Sequence, residues 1–176
     1  MVGESVRGQV GERAVVPILC LLAAVAVGLA TWRLLEREVV AAGWAALAAG
    51  ILLVVAGVVL QPGDRRARVV LSFADRAFDG CILAALAWIS RADDPPVAAA
   101  SLVALAAGFL ASYIRAKGGS LGYGIEEGVV TPVLRYGLVA LALILSWTSW
   151  AIWVVAGLMV LAAGVRASQV AKEERL

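Results

Sequence analysis

Six long apolar runs constrain the fold more than any other feature of the sequence. They cover residues 14–32, 39–60, 69–90, 95–114, 129–146 and 149–165. Each run is close to the ~20 residues that a helix needs to cross the hydrocarbon core of a bilayer. The last two runs are divided at 146–150 (Ser-Trp-Thr-Ser-Trp), because a single helix of their combined length would overshoot a bilayer. The pattern therefore predicts an all-α, polytopic membrane bundle of six transmembrane helices.

Composition supports a membrane rather than a water-soluble protein. Of the 176 residues, 62% are hydrophobic and 16% are charged, whereas soluble domains are about 45–50% apolar and about 25% charged. We expect a six-helix membrane domain at 14–166 between two short polar tails, at 1–13 and 167–176.

The positions of the basic residues predict the orientation of this bundle. Alternating the six helices across the membrane places eleven lysines and arginines on one side and three on the other. The eleven are Arg7, Arg13, Arg65, Arg66, Arg68, Arg115, Lys117, Arg135, Arg166, Lys172 and Arg175, and the three are Arg33, Arg37 and Arg91. Because basic residues accumulate on the cytoplasmic side, both tails are predicted to be cytoplasmic. The chain is then a multi-pass protein of the cell (cytoplasmic) membrane.

Tryptophans give a second indication of the same register. Five of the six lie near the predicted outer ends of helices, and Trp153 lies one turn further in. The five are Trp32, Trp44, Trp88, Trp147 and Trp150. Tryptophan is enriched at the interfaces between a membrane and water, so this placement favours six helices in the register proposed above.

Several kinds of site are excluded by composition. Histidine is absent, and Cys20 and Cys81 lie in different apolar runs without a CxxC motif, so zinc, haem and thiol–disulfide chemistry have no support. No basic stripe carries the interleaved aromatics that single-stranded nucleic acid requires, so no nucleic-acid partner is expected. Carboxylate oxygens can still bind a hard divalent metal.

Two aspartates in the third run are the strongest functional candidates. Asp75 and Asp79 are four residues apart, so their carboxylates share one face of a helix. Ionisable residues within membrane helices are costly and usually functional. Two structural interpretations compete with function: Ser72 and Asp75 match a capping box at a helix start, and Arg76 could neutralise either carboxylate.

The same segment resembles the CDP-alcohol phosphatidyltransferase family. Its signature reads D-x-x-D-G-x-x-A-R, then seven or eight residues, then G-x-x-x-D-x-x-x-D, and residues 75–79 (D-R-A-F-D) match the closing D-x-x-x-D. The following text, with Gly80 and the Ala-Ala-Leu-Ala-Trp of 84–88, resembles the phosphatidylinositol-phosphate synthase branch. Residues 112–117 (S-Y-I-R-A-K) resemble that branch's S-Y-x-K-A-R with the two basic residues exchanged.

The resemblance implies a specific division of roles. In the family, an alcohol attacks the β-phosphorus of a CDP-alcohol and CMP leaves, with metals held by four carboxylates. By this correspondence Asp79 would be the catalytic base, and Asp75 and Asp79 would bind Mg²⁺ or Mn²⁺. Arg115, Lys117 and Arg135 would bind a phosphate or lipid head group. Membrane lipids, including CDP-diacylglycerol, are then the expected partners, and the family's frequent homodimers make a homodimer an expectation as well.

The first half of the signature is missing. Counting back from Asp75 places the first two carboxylates at Val54 and Gly57, the Ala-Arg at Gln61-Pro62 and the glycine at Leu71. A second alignment uses residues 63–68 (G-D-R-R-A-R), which resemble D-G-x-x-A-R with two letters exchanged, and it requires a deletion. Further along, Glu126, Glu127, Thr131, Pro132 and Arg135 only loosely resemble the family's E-R-P-E-R.

Three hypotheses follow for function. The first is a membrane transferase acting on a CDP-linked lipid or alcohol through an altered site. The second is a non-catalytic descendant that binds anionic lipid or serves as a membrane scaffold. The third is a small transporter or channel subunit with a cation or proton site at Asp75 and Asp79. The missing carboxylates predict that the usual reaction is weak or absent.

Overall fold

Six α-helices make up the described part of the chain. The structure, a computed structural model, describes residues 2–124 and 131–173, with side chains described from residue 14 to residue 172 outside the gap. The helices are α1 (Val2–Leu35), α2 (Val39–Val59), α3 (Arg65–Ser90), α4 (Pro95–Ser120), α5 (Pro132–Ile144) and α6 (Thr148–Glu173). The all-α prediction and the break between the last two helices are confirmed. Residues 129 and 130 of the fifth run lie outside the described residues.

Four of these helices are long and apolar enough to cross a membrane. They are α1 over Ala14–Leu35, α2, α4 and most of α6. Helix α5 has 13 residues, or about 20 Å at 1.5 Å per residue, which is less than the ~30 Å hydrocarbon core. Helix α3 has 26 residues but is charged in its first half. The chain is therefore a membrane protein by these helices, while six complete spans and the orientation stay predictions.

Polar caps decide where three of the helices begin. The side chain of Asp64 accepts a hydrogen bond from the amide of Ala67 at 3.0 Å and starts α3. Asp94 and Thr131 cap α4 and α5 in the same way. Because α3 begins at Arg65, its first turn ends before Asp75, so the capping-box interpretation of Ser72 and Asp75 is wrong. Helices α1 and α6 extend into the segments predicted as tails.

Small residues bring the helices close together. Helix α2 packs against α1 and α5, α3 packs against α1 and α4, and α4 packs against α6. Alanine is the commonest buried residue. A Cβ at Gly43 would lie 2.7 Å from the backbone nitrogen of Ile144, and one at Gly50 would lie 2.8 Å from Cβ of Tyr136. Glycine at these two positions therefore lets α5 lie directly on α2, as is usual between membrane helices.

Three inter-helix turns meet at one end of the bundle, here called the tryptophan end. Arg37, between α1 and α2, forms a 2.5 Å ion pair with Asp93, between α3 and α4. Ser149, at the start of α6, donates to Asp94 at 3.2 Å. All six tryptophans lie at this end and are exposed: Trp32, Trp44, Trp88, Trp147, Trp150 and Trp153. Such a girdle matches the tryptophan belt of a membrane interface.

Candidate functional site

The two aspartates lie near the middle of α3, Asp75 in its first half and Asp79 just past its midpoint, on the side towards the opposite end of the bundle, here called the arginine end. This end holds the α2–α3 turn, the end of α4 and the start of α5. Asp75 and Asp79 face the same neighbours, because both carboxylates contact Arg76 of α3 and Arg135 of α5. The four-residue spacing therefore places them on one helix face, as the sequence predicts.

These four side chains form a charge quartet in which two members are part-buried, Asp75 and Arg76, and two are buried, Asp79 and Arg135. Oδ1 of Asp79 lies 2.8 Å from Nε of Arg135, and its Oδ2 lies 3.1 Å from Nη1 of Arg76. Asp75 forms close ion pairs with the same two guanidiniums. Asp79 and Arg135 are only 3% and 6% exposed. Each arginine therefore bridges both carboxylates, and the suggestion that Arg76 neutralises an aspartate is confirmed.

Neighbouring groups fix the quartet in place. The hydroxyl of Tyr136 donates a hydrogen bond to Oδ1 of Asp75, and its ring packs against Phe78 with centroids 4.6 Å apart. Nη1 of Arg76 donates to the carbonyl oxygen of Gly108 on α4 at 3.1 Å. Hydrogen bonds to ionised groups are the stronger kind in proteins. The quartet thus ties α3 to both α4 and α5.

A small cavity of about 120 Å³ opens beside the quartet, and we call it the arginine cavity. Four arginines and one aspartate contribute to its lining. The lining residues are Asp75, Arg76, Gly108, Ala111, Ser112, Arg115, Thr131, Pro132, Arg135, Met159, Ala162 and Arg166. Arg166 of α6 also donates to the carbonyl oxygen of Ala111 at 2.9 Å. This excess of guanidinium groups favours an anion, and guanidinium matches the geometry of phosphate.

A larger space of about 800 Å³ adjoins this cavity between α2, α3 and α5, and we call it the interhelical groove. Asp75, Arg115 and Pro132 line both spaces. The groove is also lined by the positions that the first alignment assigns to the missing motif, namely Val54, Gly57, Gln61, Pro62 and Leu71. That alignment is therefore spatially coherent, although the residues at these positions carry no carboxylate.

The donor set does not fit a two-metal site. Among the described side chains, only Asp75 and Asp79 supply carboxylates here, and both are already bridged by guanidiniums. Over residues 14–124 and 131–172, no group of three histidine, cysteine, aspartate or glutamate side chains is placed to hold a metal. In the second alignment, Asp64 caps α3 and lines neither the arginine cavity nor the interhelical groove. A divalent metal would have to displace Arg76 or Arg135.

The predicted phosphate-binding residues have different positions. Arg115 lines both spaces, and Arg135 lines the arginine cavity while it pairs with the aspartates. Lys117 is exposed and lines neither space. Whether the three bind phosphate stays a prediction, as do the metal and base roles of Asp75 and Asp79. Glu126 and Glu127 lie outside the described residues.

Sequence reasoning missed two members of this site. Tyr136 could not be identified from the sequence, because no local pattern shows that the start of α5 contacts Asp75. Arg166 was read only as a charge that sets topology. Helix α6 continues to Glu173 and includes Arg166, whereas the apolar run ends at residue 165, so hydropathy gave no signal for this residue. Arg76 was considered only as a neutralising charge.

Of the comparisons with known proteins, the one with solved structures found a similar protein. No protein-family model matches the sequence, and no curated protein matches it. Among solved structures, the chain is similar to Mycobacterium tuberculosis phosphatidylinositol phosphate synthase in a crystal structure with CDP-DAG bound. The TM-score is 0.76 at 20% sequence identity, over 90% of this chain and 85% of the synthase. The fold that the resemblance implies is thus confirmed, because the chain has the fold of a phosphatidylinositol phosphate synthase.

Proposed function

We propose that this membrane protein binds a phosphate-bearing lipid head group at the arginine cavity, with the rest of the lipid in the interhelical groove. We further propose that it does not catalyse metal-dependent transfer with release of CMP. One observation carries both statements: the only two carboxylates of the motif are bridged by Arg76 and Arg135, while four arginines line the adjoining cavity. This is the lipid-binding hypothesis drawn from the sequence.

The shapes of the two spaces support a lipid ligand. A cavity of about 120 Å³ is large enough for a phosphate group, and the adjoining groove of about 800 Å³ is lined by apolar side chains such as Leu53, Val58 and Val133. A charged head group beside an apolar channel is the chemistry of a phospholipid. The structurally similar synthase has CDP-DAG bound, so CDP-diacylglycerol is the first ligand to test.

Binding and catalysis can be measured on the same preparation. The purified full-length protein in phosphatidylcholine nanodiscs is titrated with radiolabelled CDP-diacylglycerol, and release of CMP is followed with Mg²⁺ or Mn²⁺ and an alcohol acceptor. We expect saturable binding and no CMP above a protein-free background. Arg115→Gln should weaken binding about tenfold, because it removes one charge-assisted contact. Arg66→Gln removes the same charge from an exposed site outside both spaces and serves as the control.

Two results would refute this function. Binding that is equal in the wild type, Arg115→Gln and Arg66→Gln would show that the arginine cavity holds no head group. A metal-dependent release of CMP that Asp79→Asn abolishes would establish the transferase hypothesis instead, with Asp79 as the catalytic base and Asp75 as a metal ligand.

We also propose the finer membrane arrangement drawn from the sequence. The arginine end and both termini would face the cytoplasm, six helices would enter the cell membrane, and two chains would form a homodimer. Eleven basic residues against three support the orientation. A cysteine introduced as Arg66→Cys should be shielded from an impermeant maleimide in intact cells, whereas Arg91→Cys should be labelled. The opposite labelling would contradict this orientation, and the mass of the protein in nanodiscs tests the dimer.

A further inference from the structure

In the charge quartet, two guanidiniums take the positions that two metal ions would take between a pair of carboxylates. Each guanidinium contacts both carboxylates, and each carboxylate contacts both guanidiniums. Arg76 reaches the pair from α3 itself, whereas Arg135 reaches it from α5. Bridging of this kind is what two metal ions provide when carboxylates gather around them. Here the chain supplies both positive charges from its own side chains.

Burial makes these charges necessary. Asp79 is 3% exposed, and an ionised carboxylate removed from water needs a compensating charge. Guanidinium remains protonated in proteins and offers several donors in a fixed plane. The charges of the two carboxylates are therefore balanced without any added ion, although Oδ2 of Asp79 makes no hydrogen bond. A divalent cation at the same oxygens would meet two fixed positive charges within ion-pair distance, which opposes its binding.

The same guanidiniums also face the possible ligand. Arg76 and Arg135 line the arginine cavity together with Arg115 and Arg166. The contacts of Arg135 with the aspartates use its Nε and Nη2 atoms. The positive charge that neutralises the aspartates is thus the charge that a phosphate in the cavity would meet.

We infer that Arg76 and Arg135 take the place of divalent cations in this protein. They hold Asp75 and Asp79, exclude metal from these carboxylates, and present positive charge to a phosphate group without a metal bridge. The last of these statements rests on the proposed function, whereas the exclusion of metal does not.

Metal exclusion is tested with Mn²⁺ alone. Electron paramagnetic resonance measures free Mn²⁺ in the presence of full-length protein in phosphatidylcholine nanodiscs. We expect the wild type to remove no more Mn²⁺ than Asp79→Asn does. The double variant Arg76→Gln/Arg135→Gln should bind Mn²⁺, and adding Asp79→Asn should abolish that binding. The double variant Arg65→Gln/Arg66→Gln removes two exposed charges at the same end of the bundle and should behave like the wild type.

Two outcomes would overturn the inference. One is Mn²⁺ binding by the wild type that Asp79→Asn removes. The other is a folded Arg76→Gln/Arg135→Gln variant, with wild-type helicity and elution volume, that gains no Mn²⁺ binding. If that variant does not fold, ligand binding by the wild type tests the inference instead. Affinity for CDP-diacylglycerol should then be equal in EDTA and in Mg²⁺, and a requirement for Mg²⁺ would refute the inference.

Failure of the proposed function gives a different pattern. A wild type that binds no CDP-diacylglycerol under any condition refutes the lipid-binding proposal and leaves the Mn²⁺ results to judge the quartet. A wild type that binds the lipid only with Mg²⁺ refutes the quartet's role and leaves lipid binding intact.

Discussion

Removing Arg135 should destabilise the protein more than any other single arginine substitution. In Arg135→Gln, Asp79 would keep Arg76 as its ion-pair partner and would lose the 2.8 Å contact with Nε of Arg135. Asp75 would keep Arg76 and Tyr136. Asp79 is almost fully buried, so water cannot replace the lost charge.

The expected magnitude follows from burial. Removing one partner of a buried ion pair costs about 3–5 kcal/mol, because the other charge remains buried without compensation. An exposed pair is worth only about 0–1 kcal/mol. The pair of Arg135 and Asp79, with side chains 7% and 3% exposed, belongs to the first class. The double variant Arg135→Gln/Asp79→Asn removes both charges and should recover a large part of the loss.

The free energy of unfolding of each variant is measured in mixed micelles with increasing dodecyl sulfate. Circular dichroism monitors the loss of helix. The cycle of wild type, two single variants and the double variant isolates the coupling between Arg135 and Asp79. Coupling between contacting residues is typically about 0.5–3 kcal/mol. We expect a value in the upper part of this range, since the pair is buried.

Two results would refute this reasoning. The first is a loss below about 1 kcal/mol in Arg135→Gln, the size expected of an exposed pair. The second is a double variant whose loss of stability equals the sum of the two single losses, which would show that the two side chains contribute independently. Arg66→Gln provides the reference for loss of an exposed arginine on the same end of the bundle.

Three further predictions concern single contacts, each measured by the same unfolding titration. Tyr136→Phe should cost about 1.5–3 kcal/mol, because it removes a hydrogen bond to an ionised carboxylate, and a neutral result would contradict that bond. Gly50→Ala should cost about 1–3 kcal/mol by pushing α5 from α2, whereas Gly28→Ala, with open space around it, should be neutral or stabilising. Arg37→Ala should cost less than about 1 kcal/mol, because its pair with Asp93 is exposed.

The helices could be predicted from the sequence because their signals are local. Apolar runs near 20 residues, the 146–150 break and the tryptophan positions each depend on a short stretch of chain. The start of α3 was placed too late, at residue 69 rather than at Arg65. Three arginines precede the apolar part of that helix, and hydropathy does not include charged residues in an apolar run. The cap at Asp64 sets the start of the helix instead.

The partners of the aspartates could be predicted only in part. Arg76 is their neighbour in sequence, and its role as a neutralising charge could be suggested from spacing alone. Arg135 is 60 residues from Asp75, so its pairing depends on how α5 lies against α3. That geometry depends on the packing of α5 against α2, which Gly43 and Gly50 allow to be close. No pattern in the sequence links those glycines to the charge of the site.

Arg76 and Arg135 therefore serve both stability and ligand binding, whereas Arg115 should act mainly on ligand binding. Arg135 and Arg76 neutralise buried carboxylates, so their loss must disturb the fold whether or not a ligand binds. Arg115 contributes to the lining of both spaces from an exposed position near the end of α4, so its loss should act on the ligand with little effect on the fold. A protein with a purely structural role would need Arg76 and Arg135 but would not need Arg115. Weaker lipid binding in Arg115→Gln at unchanged stability is thus the result that separates a receptor from a scaffold.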